Sequence, residues 1–110
     1  MVKILAIDDN NDNLAVLSSL LSGAFPDIRV ITALSGKEGI EKAREEKPEV
    51  ILLDLVMPVM DGYETCRLLK RDTELQHIPV IIVTAMQTDS ASRIKALKLG
   101  ADTFLTKPIE

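Results

Sequence analysis

A chain of 110 residues, 46% hydrophobic and 27% charged, describes one ordinary soluble domain, long enough to bury a core without cross-links. Thirteen basic against seventeen acidic residues give a net charge of -4 with no Lys/Arg-rich block, which argues against direct nucleic-acid binding and against a membrane-surface role. The lone Cys66 cannot close an internal disulfide, paired Cys/His metal spacings are absent, and a reducing, cytoplasmic setting is expected.

The opening MVKILAIDD is too short an apolar run for a signal peptide or a membrane span, so the chain is expected to begin directly with structure. Lys3 to Ile7 reads as a first strand. The polar cluster Asp8 to Asn13 then caps a helix carrying Leu14, Leu17 and Leu21 on one face. Ile28 to Thr32 is a second strand after the Phe25-Pro26-Asp27 turn. Ser35 opens a charged helix with a narrow core stripe, Ile40 and Ala43. Glu49 to Leu53 is the third strand, Asp61-Gly62 starts a third helix, and Tyr63, Cys66 and Leu69 recur at helical spacing. Pro79, at the tolerated first position, begins the strand Val80 to Val83. Ser90 to Leu99 reads as a helix with Ala91, Ile94 and Leu97 inward and Gly100 as its stop, before a fifth strand, Thr103 to Leu105. His77, in the loop before Pro79, is read as solvent-exposed.

Strand and helix in alternation, with aliphatic runs in place of period-two strands, predict an α/β, doubly wound, five-stranded parallel sheet with helices on both faces. Residues 1–110 form one domain with no repeat or linker. The pattern stops after Lys107-Pro108-Ile109-Glu110, so the last helix such a sheet would carry is expected to be lacking.

In such sheets ligands bind outside the carboxyl ends of the strands. Strand one ends in Asp8-Asp9, strand three in Asp54, strand four in Thr84-Ala85 and strand five in Thr106-Lys107, whereas strand two ends blandly in Thr32-Ala33. Singly, each polar residue has a structural explanation: Asp8 and Asp9 as helix caps, Asp54 as a turn residue, Thr84 as a β-branched strand residue, Lys107 as a surface lysine. Together, three carboxylates, a hydroxyl and an ammonium on one rim point to a site. If the strands lie in the order 2-1-3-4-5, neighbours are about 4.8 Å apart and Asp54 falls between the acidic pair and Thr84. Clustered carboxylates call for a raised pKa or a hard cation, and an all-oxygen set suits Mg²⁺. A phosphoryl group would then be held by the metal, Lys107 and Thr84, with Asp54 as a carboxylate nucleophile.

Asp8-Asp9, LLDLVMPVMDG around Asp54, Thr84-Ala85 and LGADTFLTKP ending in Lys107-Pro108 together resemble the receiver domain of two-component response regulators, over essentially the whole chain. The resemblance implies a flavodoxin-like sheet in the order 2-1-3-4-5. It further implies phosphoryl transfer from a histidine kinase or phosphotransfer protein to Asp54, and later hydrolysis, both catalysed by the domain on its own aspartate. Mg²⁺ would be held by Asp9, Asp54 and the Val56 backbone carbonyl, with Asp8 acting through water. Thr84 and the aromatic at 104 would act as switch residues, altering a face around the fourth helix and fifth strand that meets an effector domain or protein, or a second copy of the chain.

Phe104 stands where many members carry Tyr, so a switch here has no phenolic hydroxyl and rests on burial of the ring. Two enzymatic or cofactor-binding readings fit less well. An aspartyl-phosphate phosphatase spaces its two aspartates by one residue and needs a cap, and a flavin module would need a phosphate-cradling loop where Asp8-Asp9 would repel the ligand. A receiver-like interaction module without switching stays open.

Overall fold

The helix starts follow from short polar side chains placed one residue ahead of apolar repeats. The computed structural model describes residues 2–106 apart from Val56, Pro58, Val59 and 85–89, and in it the first three helices each open on a side-chain cap. Asn10 caps α1 (Asn11–Ala24) by accepting from the amides of Asp12 and Asn13 at 2.8 and 3.1 Å. Ser35 caps α2 (Gly36–Glu46) through the Glu38 amide, and Asp61 caps α3 (Gly62–Arg71) through the Glu64 amide. Each such cap contributes about 1 kcal/mol. The fourth helix, α4 (Ser90–Lys98), ends in a Schellman pair. Ala101 N–H donates to Ala96 O and Gly100 N–H to Leu97 O, with Gly100 at φ 107°, where a Cβ would be strained.

Five parallel strands, β1 (Val2–Ile7), β2 (Ile28–Ala33), β3 (Val50–Leu53), β4 (Val80–Thr84) and β5 (Thr103–Thr106), lie in the order β2-β1-β3-β4-β5. The chain steps outward from β1 to β2 and thereafter the other way. Right-handed crossovers therefore put α1 on one face and α2, α3 and α4 on the other. The two faces are unequally covered. Leu5, Ile7, Ile51, Leu53, Val80 and Ile82 point under α2 to α4 and join Ala43, Cys66, Leu69 and Ala96 in the core. On the α1 side Ile4, Val50, Leu52 and Ile81 are half-buried while Ala6 and Val83, nearer the carboxyl edge, are buried, so the continuous aliphatic runs do not mean equal burial on both sides. No helix follows β5 among the described residues, and none of the described helices is long and apolar enough to cross a membrane.

Strand ends differ from expectation by one residue: Glu49 precedes β3, although its amide still donates to Lys3 O at 2.9 Å. The expected face of α4 is wrong. Ala91 is exposed, Ile94 and Leu97 are about half-exposed, and the buried residue is Ala96, at 1% exposure, with Leu99 half-buried behind it. Ala96 lies roughly 200° round the helix from Ile94. The small residue is turned toward the body, so the helix approaches closely and its large aliphatics face outward. Cys66 is the packing residue expected: burial pushes its thiol up to about 11, so it stays protonated. His77 is exposed, also as expected.

At the amino edge of the sheet, Lys70 ties α3 to the starts of β4 and β5. Its ammonium donates to Ile78 O at 2.8 Å, Gln76 O at 3.3 Å and Asp102 Oδ2 at 3.1 Å, and Val80 N–H donates to the same carboxylate oxygen at 2.8 Å. Desolvation works to raise the Asp102 carboxyl, but the Val80 amide and Lys70 outweigh it and hold it below the ordinary aspartate value. A depressed folded-state pKa stabilises the fold above the unfolded value, and that stability is lost as pH falls through the folded value. Lys70→Met keeps the aliphatic stem and removes the donors. It is expected to lower stability at neutral pH by about 1 kcal/mol and to flatten the decline below about pH 4. Urea unfolding at a series of pH values reads both; a parallel shift of the whole curve would show that Asp102 is not the titrating partner.

Candidate functional site

The carboxyl edge of the sheet gathers the acidic residues because parallel strands deliver all their ends to one rim. Asp8 and Asp54 each extend the sheet by one residue: Asp8 N–H donates to Ala33 O and Asp54 N–H to Ile7 O, both at 3.0 Å. This fixes their backbones beside each other on neighbouring strands. Asp8 is 5% exposed and Asp54 8%, whereas Asp9 faces solvent. One carboxylate oxygen from each of Asp8, Asp9 and Asp54 lies within 4.8 Å of the others. Thr84, fully buried, ends β4, the strand next to β3.

The capping explanation of the acidic pair is largely displaced, since Asn10 caps the helix and Asp8 Oδ1 accepts from the Asn10 amide at 3.0 Å. Two carboxylates 4.8 Å apart repel by roughly 1 kcal/mol at the dielectric of water and by roughly 3–4 at an effective constant of about 20. A cluster so arranged favours a cation. Its donors are all oxygen, two of the three groups are shielded from water, and none of the three has a nitrogen or sulfur ligand beside it in the cluster, which fits a hard divalent ion such as Mg²⁺.

Of the residues singled out from sequence, Asp8, Asp9 and Asp54 come together, and Thr84 takes its place at the same edge. Phe104, on β5 beside Ile82, is half-buried, with the Arg93 guanidinium 5.7 Å from its ring centre. Val56 and Lys107 lie outside the described residues. The sequence reading missed Asn10 as the particular cap within its polar cluster. It also missed how closely Gly62 packs on the Asp54 segment. The first was signalled by the Asn three residues before a helical Asn13; the second had no signal short of the tertiary fold.

A five-stranded sheet wound in this order, with an acidic trio at the carboxyl edge of its first and third strands, defines the class. The model of the response regulator receiver domain matches residues 4–110, and the chain belongs to that family, the receivers of two-component signalling. It is 40% identical over 108 residues to the response regulator PleD of Caulobacter vibrioides, covering 98% of this chain and 23% of PleD. To protein PilH of Pseudomonas aeruginosa it is 36% identical over 110 residues, covering 100% of this chain and 88% of PilH. Among solved structures it superposes on chemotaxis protein CheY4 of Vibrio cholerae with a TM-score of 0.91 and 30% identity, covering 100% of this chain and 89% of that one. The chain thus spans about a quarter of the length of PleD and most of PilH and CheY4.

Proposed function

We propose that Asp54 is the phosphoacceptor of a receiver unit spanning residues 1–110, charged by a histidine kinase or phosphotransfer protein. The observation that carries this reading is the convergence of the Asp8, Asp9 and Asp54 carboxylates within 4.8 Å at the carboxyl edge of the sheet. An Asp54 carboxylate oxygen attacks the phosphorus of a phosphohistidine; the P–N bond breaks, its electron pair returns to the imidazole, and an acyl phosphate forms. Asp9, Asp54 and the Val56 carbonyl would hold Mg²⁺ directly and Asp8 through water. When bound, the ion supplies positive charge that offsets the carboxylates and the incoming phosphoryl oxygens. The Thr84 hydroxyl donates to one phosphoryl oxygen and the Lys107 ammonium pairs with another. Water attack on the same acyl phosphate resets the site. Thr84 and Phe104 carry the change outward to the face of α4 and β5, which meets an effector or a second copy, in a cytoplasmic setting.

The metal part of the reading is tested without phosphoryl chemistry. Mg²⁺ at about ten times its dissociation constant is expected to stabilise the fold by about 1.4 kcal/mol, raising Tm by about 5–10 °C, and Asp9→Asn should remove most of that rise. A cooperatively folded parent that shows no Mg²⁺-dependent shift would instead favour an interaction module without switching.

A further inference from the structure

Gly62 is the first residue of α3, and its position is set by the segment that carries Asp54. Its amide donates to Leu55 O at 3.0 Å. A Cβ built on Gly62 would stand 2.2 Å from Asp54 O, 2.6 Å from Leu55 Cα and 2.9 Å from the Asp54 carbonyl carbon. All three are main-chain atoms, so no side-chain rotation can relieve the overlap. The requirement is for space, since the positive-φ positions described are Lys47 and Gly100. At an unobstructed first turn, replacing Gly by Ala would ordinarily favour the helix. The neighbouring residues hold the turn where it is. Asp61 Oδ1 accepts from Glu64 N–H, and Asp61 O accepts from both the amide and the hydroxyl of the fully buried Thr65. On the other side, the Asp54 amide is pinned to β1 through Ile7 O. The Asp54–Leu55 peptide is therefore held between β1 and the start of α3.

We propose that Gly62 is a positioning residue for Asp54: the absence of a side chain there lets the first turn of α3 seat against the Asp54–Leu55 main chain and set where the Asp54 carboxylate lies relative to Asp8 and Asp9. The consequence for phosphoryl transfer rests on Asp54 as the acceptor; the positional part does not. Gly62→Ala must push the Asp54 segment, the α3 turn or both, and an ångström of misplacement at a nucleophile is worth about 10²-fold in rate.

The test compares Gly62→Ala with Gly100→Ala, a strained glycine substitution at the opposite edge of the sheet whose new methyl would have the Lys70 side chain as its nearest neighbour. With acetyl phosphate and saturating Mg²⁺, Gly62→Ala is expected to slow phosphoryl uptake about tenfold or more, and Gly100→Ala to stay within about twofold. In ¹H–¹⁵N spectra taken without phosphate donor, the Asp54 and Leu55 amides should move in Gly62→Ala and stay in place in Gly100→Ala. Equal slowing by both variants, or unmoved Asp54 and Leu55 amides in Gly62→Ala, would overturn the assignment. If the parent itself takes up no phosphoryl group, the acceptor reading fails and the amide shifts alone decide the role of Gly62. Should Gly62→Ala not fold, Asp61→Ala loosens the same turn with Gly62 kept; the Asp54 amide is then expected to shift, and an unchanged resonance counts against the proposal.

Discussion

Asparagine in place of Asp54 is expected to abolish phosphoryl uptake from acetyl phosphate, while the parent gains one base-labile phosphoryl group by intact mass. The substitution is nearly isosteric, and the backbone bond from residue 54 to Ile7 O is untouched, so the fold should persist. The side chain loses its nucleophilic oxygen, because an amide carbonyl is a far weaker nucleophile than a carboxylate. A second effect has the opposite sign. Removing one of three negative charges gathered within 4.8 Å relieves repulsion, so without Mg²⁺ the variant should be as stable as the parent or more stable, by roughly 1 kcal/mol. Added Mg²⁺ should then stabilise the variant less than the parent. Uptake by Asp54→Asn equal to that of the parent would move the acceptor elsewhere on the rim. Loss of uptake together with loss of folding would mean that Asp54 is chiefly structural, contrary to the geometry.

Ile51→Ala is expected to have the largest effect on stability. Ile51 is fully buried on the central strand, beside Leu5 on one neighbour and Val80 on the other, and its amide donates to Pro79 O at 2.9 Å. Truncation removes buried methyl and methylene groups and leaves a cavity that the sheet, hydrogen-bonded on both sides, can close only in part. Such changes cost about 2–5 kcal/mol, a large share of a total of roughly 5–15, and should lower Tm by roughly 10–20 °C. Leu52→Ala, one residue on, provides the internal comparison. Leu52 points to the half-buried α1 face, so its loss should be well under that of Ile51 in urea midpoint. Equal losses would show the two faces to be equally tightly packed, which the exposures of Ile4, Leu52 and Ile81 argue against.

Much of this architecture was legible in the residues because the governing effects are local. Aliphatic runs of four or five residues bounded by Pro, Asp or Gly specify strands whose neighbours are also strands, and Ser35 and Asp61 sit where an orphan helix amide needs an acceptor. The strand-end position of Asp54 was readable for the same reason: a carboxylate after Val50-Ile51-Leu52-Leu53 must lie at the carboxyl end of that strand. The family motifs supplied the strand order, and with it the company Asp54 would keep.

What the chain order did not settle was the phase of α4. Its apolar residues occupy two ridges, Ala91-Ile94-Leu97 and Ala96-Leu99, and periodicity alone does not choose between them. The sheet chose the ridge of Ala96, where a methyl is fully buried and Leu99 packs half-buried against the core. The unequal faces of the sheet were likewise invisible, since an aliphatic run reads the same whether one helix or three lie over it. Tertiary structure alone decided the 4.8 Å convergence of Asp8, Asp9 and Asp54 and the seat of Gly62 against Asp54. By itself the sequence determined which side chains stand at each strand end. Only the crossovers, by carrying the chain outward to β2 and back past β1 to β3, made two of those ends neighbours, because contacts between residues some 46 positions apart exist only once the sheet has closed around its core.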